Sequence, residues 1–80
     1  MKIQVKRLKS VINKNETDMD YRYVNALLLE TPEIGHSLTI ELMSDRWHTS
    51  RVKKVRFNKG SMDIITDNSL YRLKYGWKEN

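Results

Sequence analysis

The chain has 80 residues, 39% hydrophobic and 31% charged, with a net charge of +5, no cysteine and one proline, which bounds it to one small domain over residues 1–80. A folded chain of this length buries only about 60–65% of the surface its unfolded form exposes, so it has room for one core and not for a deep enzyme cleft beside it. The missing cysteines exclude a disulfide framework and a thiolate metal site; no apolar run is long enough for a membrane span, and Met1-Lys2-Ile3-Gln4-Val5-Lys6-Arg7 leads into no signal-like apolar stretch. The expected setting is therefore a cytoplasm, with no membrane partner.

From Lys2 to Ile12 the chain alternates Ile3 and Val5 against Gln4 and Lys6, then shifts phase so that Leu8 and Ile12 carry the apolar face. This pattern predicts a strand with a bulge. Asn13 to Asp20 is polar and rich in turn formers, which marks an exposed, mobile connection. Tyr21 to Glu30 has two readings. Val24, Leu27 and Leu28 match helical spacing behind an Asp18 or Asp20 cap, giving a short helix around residues 18–30, whereas Tyr21, Tyr23, Leu27 and Leu29 match a strand. The shortness of the segment and the Thr31-Pro32 pair, which pushes residue 31 towards extended geometry, favour the strand.

Pro32-Glu33-Ile34-Gly35 reads as a turn into a half-buried strand with Leu38, Ile40 and Leu42 on one face. After the turn Ser44-Asp45-Arg46, the run from Trp47 to Phe57 cannot place Trp47, Val52, Val55 and Phe57 on one face of an unbroken strand. A second bulge or bend near Arg51 to Lys54 is required. Asn58-Lys59-Gly60 has the composition of a hairpin loop returning into Met62, Ile64 and Thr66. A turn at Asp67-Asn68-Ser69 precedes a last strand in which Tyr71, Leu73 and Tyr75 alternate with Arg72 and Lys74. Five or six short strands with turn signals between them predict an all-β domain, a strongly bent antiparallel sheet or an SH3-like or OB-like barrel. The predicted core is Ile3, Val5, Leu8, Leu27, Leu29, Ile34, Leu38, Ile40, Leu42, Val52, Val55, Phe57, Ile64, Leu70, Tyr71 and Leu73. That leaves Met19, Met43, Tyr21, Trp47 and Trp77 for the surface or an interface.

The charge is uneven. Residues 14–45 carry two cations, Lys14 and Arg22, against seven carboxylates, a net −5; the remainder carries thirteen cations against three carboxylates, a net +10. Arg46, Arg51, Lys53, Lys54, Arg56 and Lys59 occur with no acidic residue among positions 46–59, and Lys2, Lys6, Arg7 and Lys9 open the chain. One reading is a phosphate-contacting surface on which Trp47, Tyr71, Tyr75 or Trp77 offers a stacking platform. The other is a solvated strand face that keeps a small β protein soluble and guards its edges. Glu16, Asp18 and Asp20 form a candidate acidic partner loop; they lack the glycine and terminal glutamate of a calcium loop, and no metal is expected there. A chain with one basic and one acidic side can also self-associate.

No catalytic constellation emerges. His36 and His48 stand alone without zinc spacing, Asp67 fits a turn cap, Gly35, Gly60 and Gly76 are isolated, and the Asn15-Glu16-Thr17 sequon has no secretory context. No cofactor is expected, and the chain reads as a non-enzyme.

Gly35-His36-Ser37-Leu38-Thr39-Ile40, Trp47-His48-Thr49-Ser50-Arg51-Val52 and Ile65-Thr66-Asp67-Asn68-Ser69-Leu70-Tyr71-Arg72-Leu73 together resemble small β-barrel accessory proteins encoded by phages and mobile elements, over roughly residues 34–73. The resemblance implies a protein expressed in a bacterial host cytoplasm that binds and inhibits a host or defence factor, and it carries no catalytic motif. From the residues alone, the same motifs read as a Thr49-Ser50 strand bend, an Asn68-Ser69 turn, and Tyr71 and Leu73 inside the barrel. Three functions stand open: a module binding nucleic acid or a nucleoprotein through Arg46, Trp47, Arg51, Lys53, Lys54, Arg56 and Lys59; an inhibitor of a host protein; and a nucleotide or small-ligand binder.

Overall fold

The computed structural model describes residues 1–11, 16–43 and 45–79. Six strands, β1 (Lys2–Ser10), β2 (Val24–Leu28), β3 (Ser37–Leu42), β4 (Arg46–Asn58), β5 (Ser61–Thr66) and β6 (Ser69–Tyr75), pair antiparallel with their chain neighbours. β1 also pairs with β6, from Ile3 opposite Tyr75 to Ser10 opposite Ser69, and so closes an up-and-down barrel. The all-β barrel expected from the turn spacing is thus present. Among the described residues the only helix is a 3-10 turn at Asp18–Asp20, so the segment 18–30 is a short turn followed by a strand. Residues 12–15 and Ser44 lie outside the described residues, and with them the places predicted for Ile12, Asn13, Lys14 and Asn15. No helix among the described residues is long and apolar enough to cross a membrane.

Both predicted irregularities occur. Register shifts fall between Arg7 and Lys9 in the β1–β6 pairing and between Val52 and Lys54 in the β4–β5 pairing, and each bends its strand around the barrel. β4 is also irregular against β3, where Ser37 faces Arg51 but Thr39 faces His48. Thr49 and Ser50 supply the missing ladder bonds at that bend. The Thr49 hydroxyl accepts from the Leu38 amide at 2.9 Å and donates to the Ser50 carbonyl at 2.7 Å, while Ser50 donates to the Thr66 hydroxyl at 2.8 Å. In the β4–β5 hairpin, Gly60 has φ +78°, a left-handed conformation that glycine takes without a Cβ penalty.

The interior is filled by Ile3, Val5, Met19, Ala26, Leu28, Leu38, Ile40, Val52, Met62, Ile64, Tyr71 and Leu73, with Val24, Leu42, Trp47 and Val55 packed against them. This corrects several core expectations. In β2 the inward residues are Ala26 and Leu28, one position out of phase with the predicted Leu27 and Leu29. The physical reason is Asn25: the predicted phase would point its amide into the apolar core, whereas outside it accepts from the Lys78 amide at 2.9 Å and donates to the Lys78 carbonyl at 3.0 Å. Leu8 is exposed because Arg7 takes the inward position ahead of the bulge.

Ile34 lies in the β2–β3 connection at 68% exposure, and Phe57 is 73% exposed because β4 runs on past the strand that would cover it. Leu70 is half-buried on the outer surface. Met19, expected outside, is only 1% exposed, since the 3-10 turn plugs one end of the barrel with it.

Arg7 organises that plugged end. Its guanidinium pairs bidentately with Asp20, through Nε to Oδ1 and through Nη2 to Oδ2 at 2.7 Å, and lies 5.0 Å from the ring centre of Trp47. Asp20 also accepts from the Thr17 amide at 2.8 Å, and Thr17 accepts from the Met19 amide, a reciprocal cap on the 3-10 turn. Trp47 Nε1 donates to the Tyr71 hydroxyl at 3.0 Å.

Arg7 holds the Asp20 carboxyl below its ordinary value by hydrogen bonding and charge, and Arg72 does the same to Asp63. Stabilisation from a depressed carboxylate is complete above the unfolded-state value of about 4 and is lost as pH falls through the lower folded-state value. Urea unfolding is therefore expected to show stability declining below about pH 4. Asp20→Asn, which removes the carboxylate that balances the largely buried guanidinium, should lose about 3 kcal/mol at pH 7 and show a shallower acid limb. Identical acid limbs in the two proteins would contradict the pairing.

Candidate nucleic-acid interface

Strand alternation places every second side chain of β4, β5, β6 and β1 on the outside of the barrel, and the register aligns these side chains into cross-strand rows. Lys54 lies opposite Ile65, Ile65 opposite Leu70, and Leu70 opposite Lys9. In the next row Arg56 faces Asp63, Asp63 faces Arg72, and Arg72 faces Lys6. The third row runs Asn58, Ser61, Lys74 and Gln4. Successive rows are about 7 Å apart and the four strands span about 14 Å. Within this area six cations, Lys6, Lys9, Lys54, Arg56, Arg72 and Lys74, surround one carboxylate.

That carboxylate is already neutralised. Asp63 is 4% exposed and accepts from Arg72 Nε at 2.8 Å and Nη2 at 3.1 Å, which lowers the carboxyl and raises the guanidinium relative to their ordinary values. Arg56 adds a further favourable charge on its other side. Tyr23 stands at the β1 margin of the face, with Lys74 Nζ 4.0 Å and Lys6 Nζ 5.8 Å from its ring centre. Ile65 and Leu70, both half-buried, give the face an apolar middle.

The residues singled out on β4 separate into three groups. Lys54 and Arg56 belong to the basic face, and Lys59 is exposed in the hairpin turn beside it. Arg51, before the bulge, and Lys53, within it, both reach Asp67, at 3.3 and 3.8 Å, and Arg46 lies 3.9 Å from Glu41. Trp47 is occupied by Tyr71 and Arg7, and so packs against the core rather than offering a free platform.

The acidic loop is likewise engaged within the chain. Asp20 pairs with Arg7, Asp18 with Arg22 at 3.0 Å, and Glu16 accepts from the Tyr21 hydroxyl at 2.5 Å. His36 lies 3.8 Å from Glu33, and His48 Nδ1 is 3.1 Å from the Thr39 hydroxyl. No group of three or more metal-ligating side chains forms among the described residues.

Lys6 and Lys9 stand out in the sequence only as cations that open the chain, and Arg72, Lys74 and Tyr23 are not assigned to the candidate site by the sequence. The alternation of Arg72 and Lys74 with Tyr71, Leu73 and Tyr75 already puts the former outside; only the β1–β6 pairing brings them beside Lys6 and Lys9. Comparison with protein-family models, curated proteins and solved structures finds no match for this chain.

The two aspartates near the basic strands differ in burial, and substitution should separate them. Asp63→Asn, which removes the charge partner of Arg72 from an almost closed site, is expected to lower the urea midpoint at pH 7 clearly more than Asp67→Asn, whose exposed pairs with Arg51 and Lys53 contribute little. Equal midpoints would contradict the assignment.

Proposed function

We propose that the protein is a non-catalytic binding module that takes nucleic acid, free or within a nucleoprotein, on the outer face of β4, β5, β6 and β1. The observation that carries this reading is the convergence of six cations from three strands around a single, already neutralised carboxylate. A solvated strand face needs cations only scattered among carboxylates. Here the carboxylates Glu30, Glu33, Glu41 and Asp45 belong to β3 and the connections flanking β2 and β3. Arg72 is held by Asp63 and lies against Tyr23, so phosphates approaching the β6 side meet chiefly Lys74 and the cations of β1 and β4 beside it. As in the phage-type accessory proteins that the motifs resemble, the setting would be a bacterial cytoplasm.

Two double variants of equal charge change test this by fluorescence anisotropy with a labelled oligonucleotide. Lys54→Glu with Lys74→Glu lies on the face and is expected to weaken binding more than tenfold; Arg46→Glu with Lys53→Glu lies off it and should stay within about threefold. For the wild type, neutralising about five phosphates predicts a loss of roughly 100-fold between 50 and 200 mM salt. Equal losses in the two variants, a flat salt response, or recovery from a bacterial lysate of one protein partner that survives nuclease while oligonucleotides fail to bind would overturn the proposal.

A further inference from the structure

The end of the barrel opposite the 3-10 plug is open and apolar. Leu28, Leu29, Pro32, Phe57, Met62 and Tyr75 line a cleft of about 350 Å³ there, within the size range of small-ligand sites. Phe57 and Tyr75 are well exposed although both follow the inward phase of their strands, because the strands extend past the filled interior. Each of these rings directly follows an outward cation of the basic face, Arg56 before Phe57 and Lys74 before Tyr75, and Lys59 caps the hairpin that carries Phe57. The rim of the cleft is thus continuous with the basic face on one side. On the other side Met1, Glu30 and Thr31 complete the lining; the Met1 ammonium donates to the Leu28 carbonyl at 3.1 Å, and the Glu30 carboxylate repels phosphate while accepting hydrogen bonds.

We infer that this mouth receives an unpaired base of a single-stranded nucleic acid, stacked against Phe57 and Tyr75 while the backbone lies on Arg56, Lys59 and Lys74. The inference rests on the nucleic-acid reading above and narrows its ligand to single strands, because a paired base presents no free face to a recessed aromatic cleft. The charge pattern orients the strand. Phosphates stay on the basic outer side, and the uncharged base turns inward towards Glu30.

The test compares labelled 12-nucleotide oligothymidylate, oligouridylate and a DNA duplex of the same length at 50 mM salt, with wild type, Phe57→Ala, Phe57→Trp and Tyr75→Ala. Both single strands are expected to bind at least tenfold tighter than duplex. Phe57→Ala and Tyr75→Ala should each weaken single-strand binding about tenfold and leave duplex binding unchanged, and Phe57→Trp should retain it. Circular dichroism is expected to show the wild-type fold, since Phe57 is largely exposed in the native chain. Equal affinity for single strand and duplex, or alanine variants that bind single strands like wild type or weaken both forms alike, would overturn the base-insertion inference while leaving the basic face standing. Failure of all three probes to bind would overturn the nucleic-acid reading itself and this inference with it.

Discussion

A single pairing, β1 with β6, closes the sheet, and both the core and the charged surface depend on it. An open six-stranded sheet in a chain of this size would leave two unpaired edges and an apolar face in water. Pairing the first strand with the last removes the edges and encloses Ile3, Val5, Ile40, Ile64 and Leu73 on all sides. It also sets Lys6 beside Arg72 and Gln4 beside Lys74, so the two ends of the chain contribute to one basic surface. Loss of the closing pairing would dismantle the core and the candidate site together.

Closure has a consequence for the ends of the barrel. The bulge after Arg7 lets β1 turn with the barrel wall and leaves a guanidinium pointing inward, and a buried cation of this kind persists only with a partner. Asp20, held by the capped turn at Asp18–Asp20, is that partner, and the turn places Met19 in the opening at the same time. One end is therefore sealed by a charge pair, a stacked indole and a methionine. At the other end the β4–β5 hairpin projects past β3, which leaves Phe57 uncovered. The asymmetry between a polar plug and an apolar mouth follows from where the bulge and the long hairpin fall in the chain.

Much of the barrel wall was legible in the sequence because alternation is a local signal. Leu38 and Ile40, Ile64, and Tyr71 and Leu73 point inward as their spacing predicts, Met62 joins them from outside the predicted core, and both bulges are visible as phase changes between Arg7 and Lys9 and near Lys54. The misses need information that spacing lacks. Ala26 and Leu28 displace Leu27 and Leu29 because an asparagine amide, not an apolar count, decided the phase of β2. Met19 fills the barrel through a turn only three residues long, and Phe57 carries the inward phase at a position paired with β5 but beyond the reach of β3. The candidate site follows the same division. That β4 is rich in cations is plain from its residues; that Lys54 and Arg56 join Lys6, Lys9, Arg72 and Lys74 while Arg51 and Lys53 turn to Asp67 depends on a bulge and on pairings distant in sequence.

The placement of the nucleic-acid surface is tested most directly by titrating the isotope-labelled protein with an oligonucleotide and following each backbone amide by NMR. Shifts concentrated in β4 after the bulge, in β5 and β6 and at Lys6 and Lys9, with the outer positions of β2 and β3 unmoved, are the expected result. Shifts centred on Thr39, Glu41 and His48, or a spectrum unchanged at saturating oligonucleotide in low salt, would contradict it.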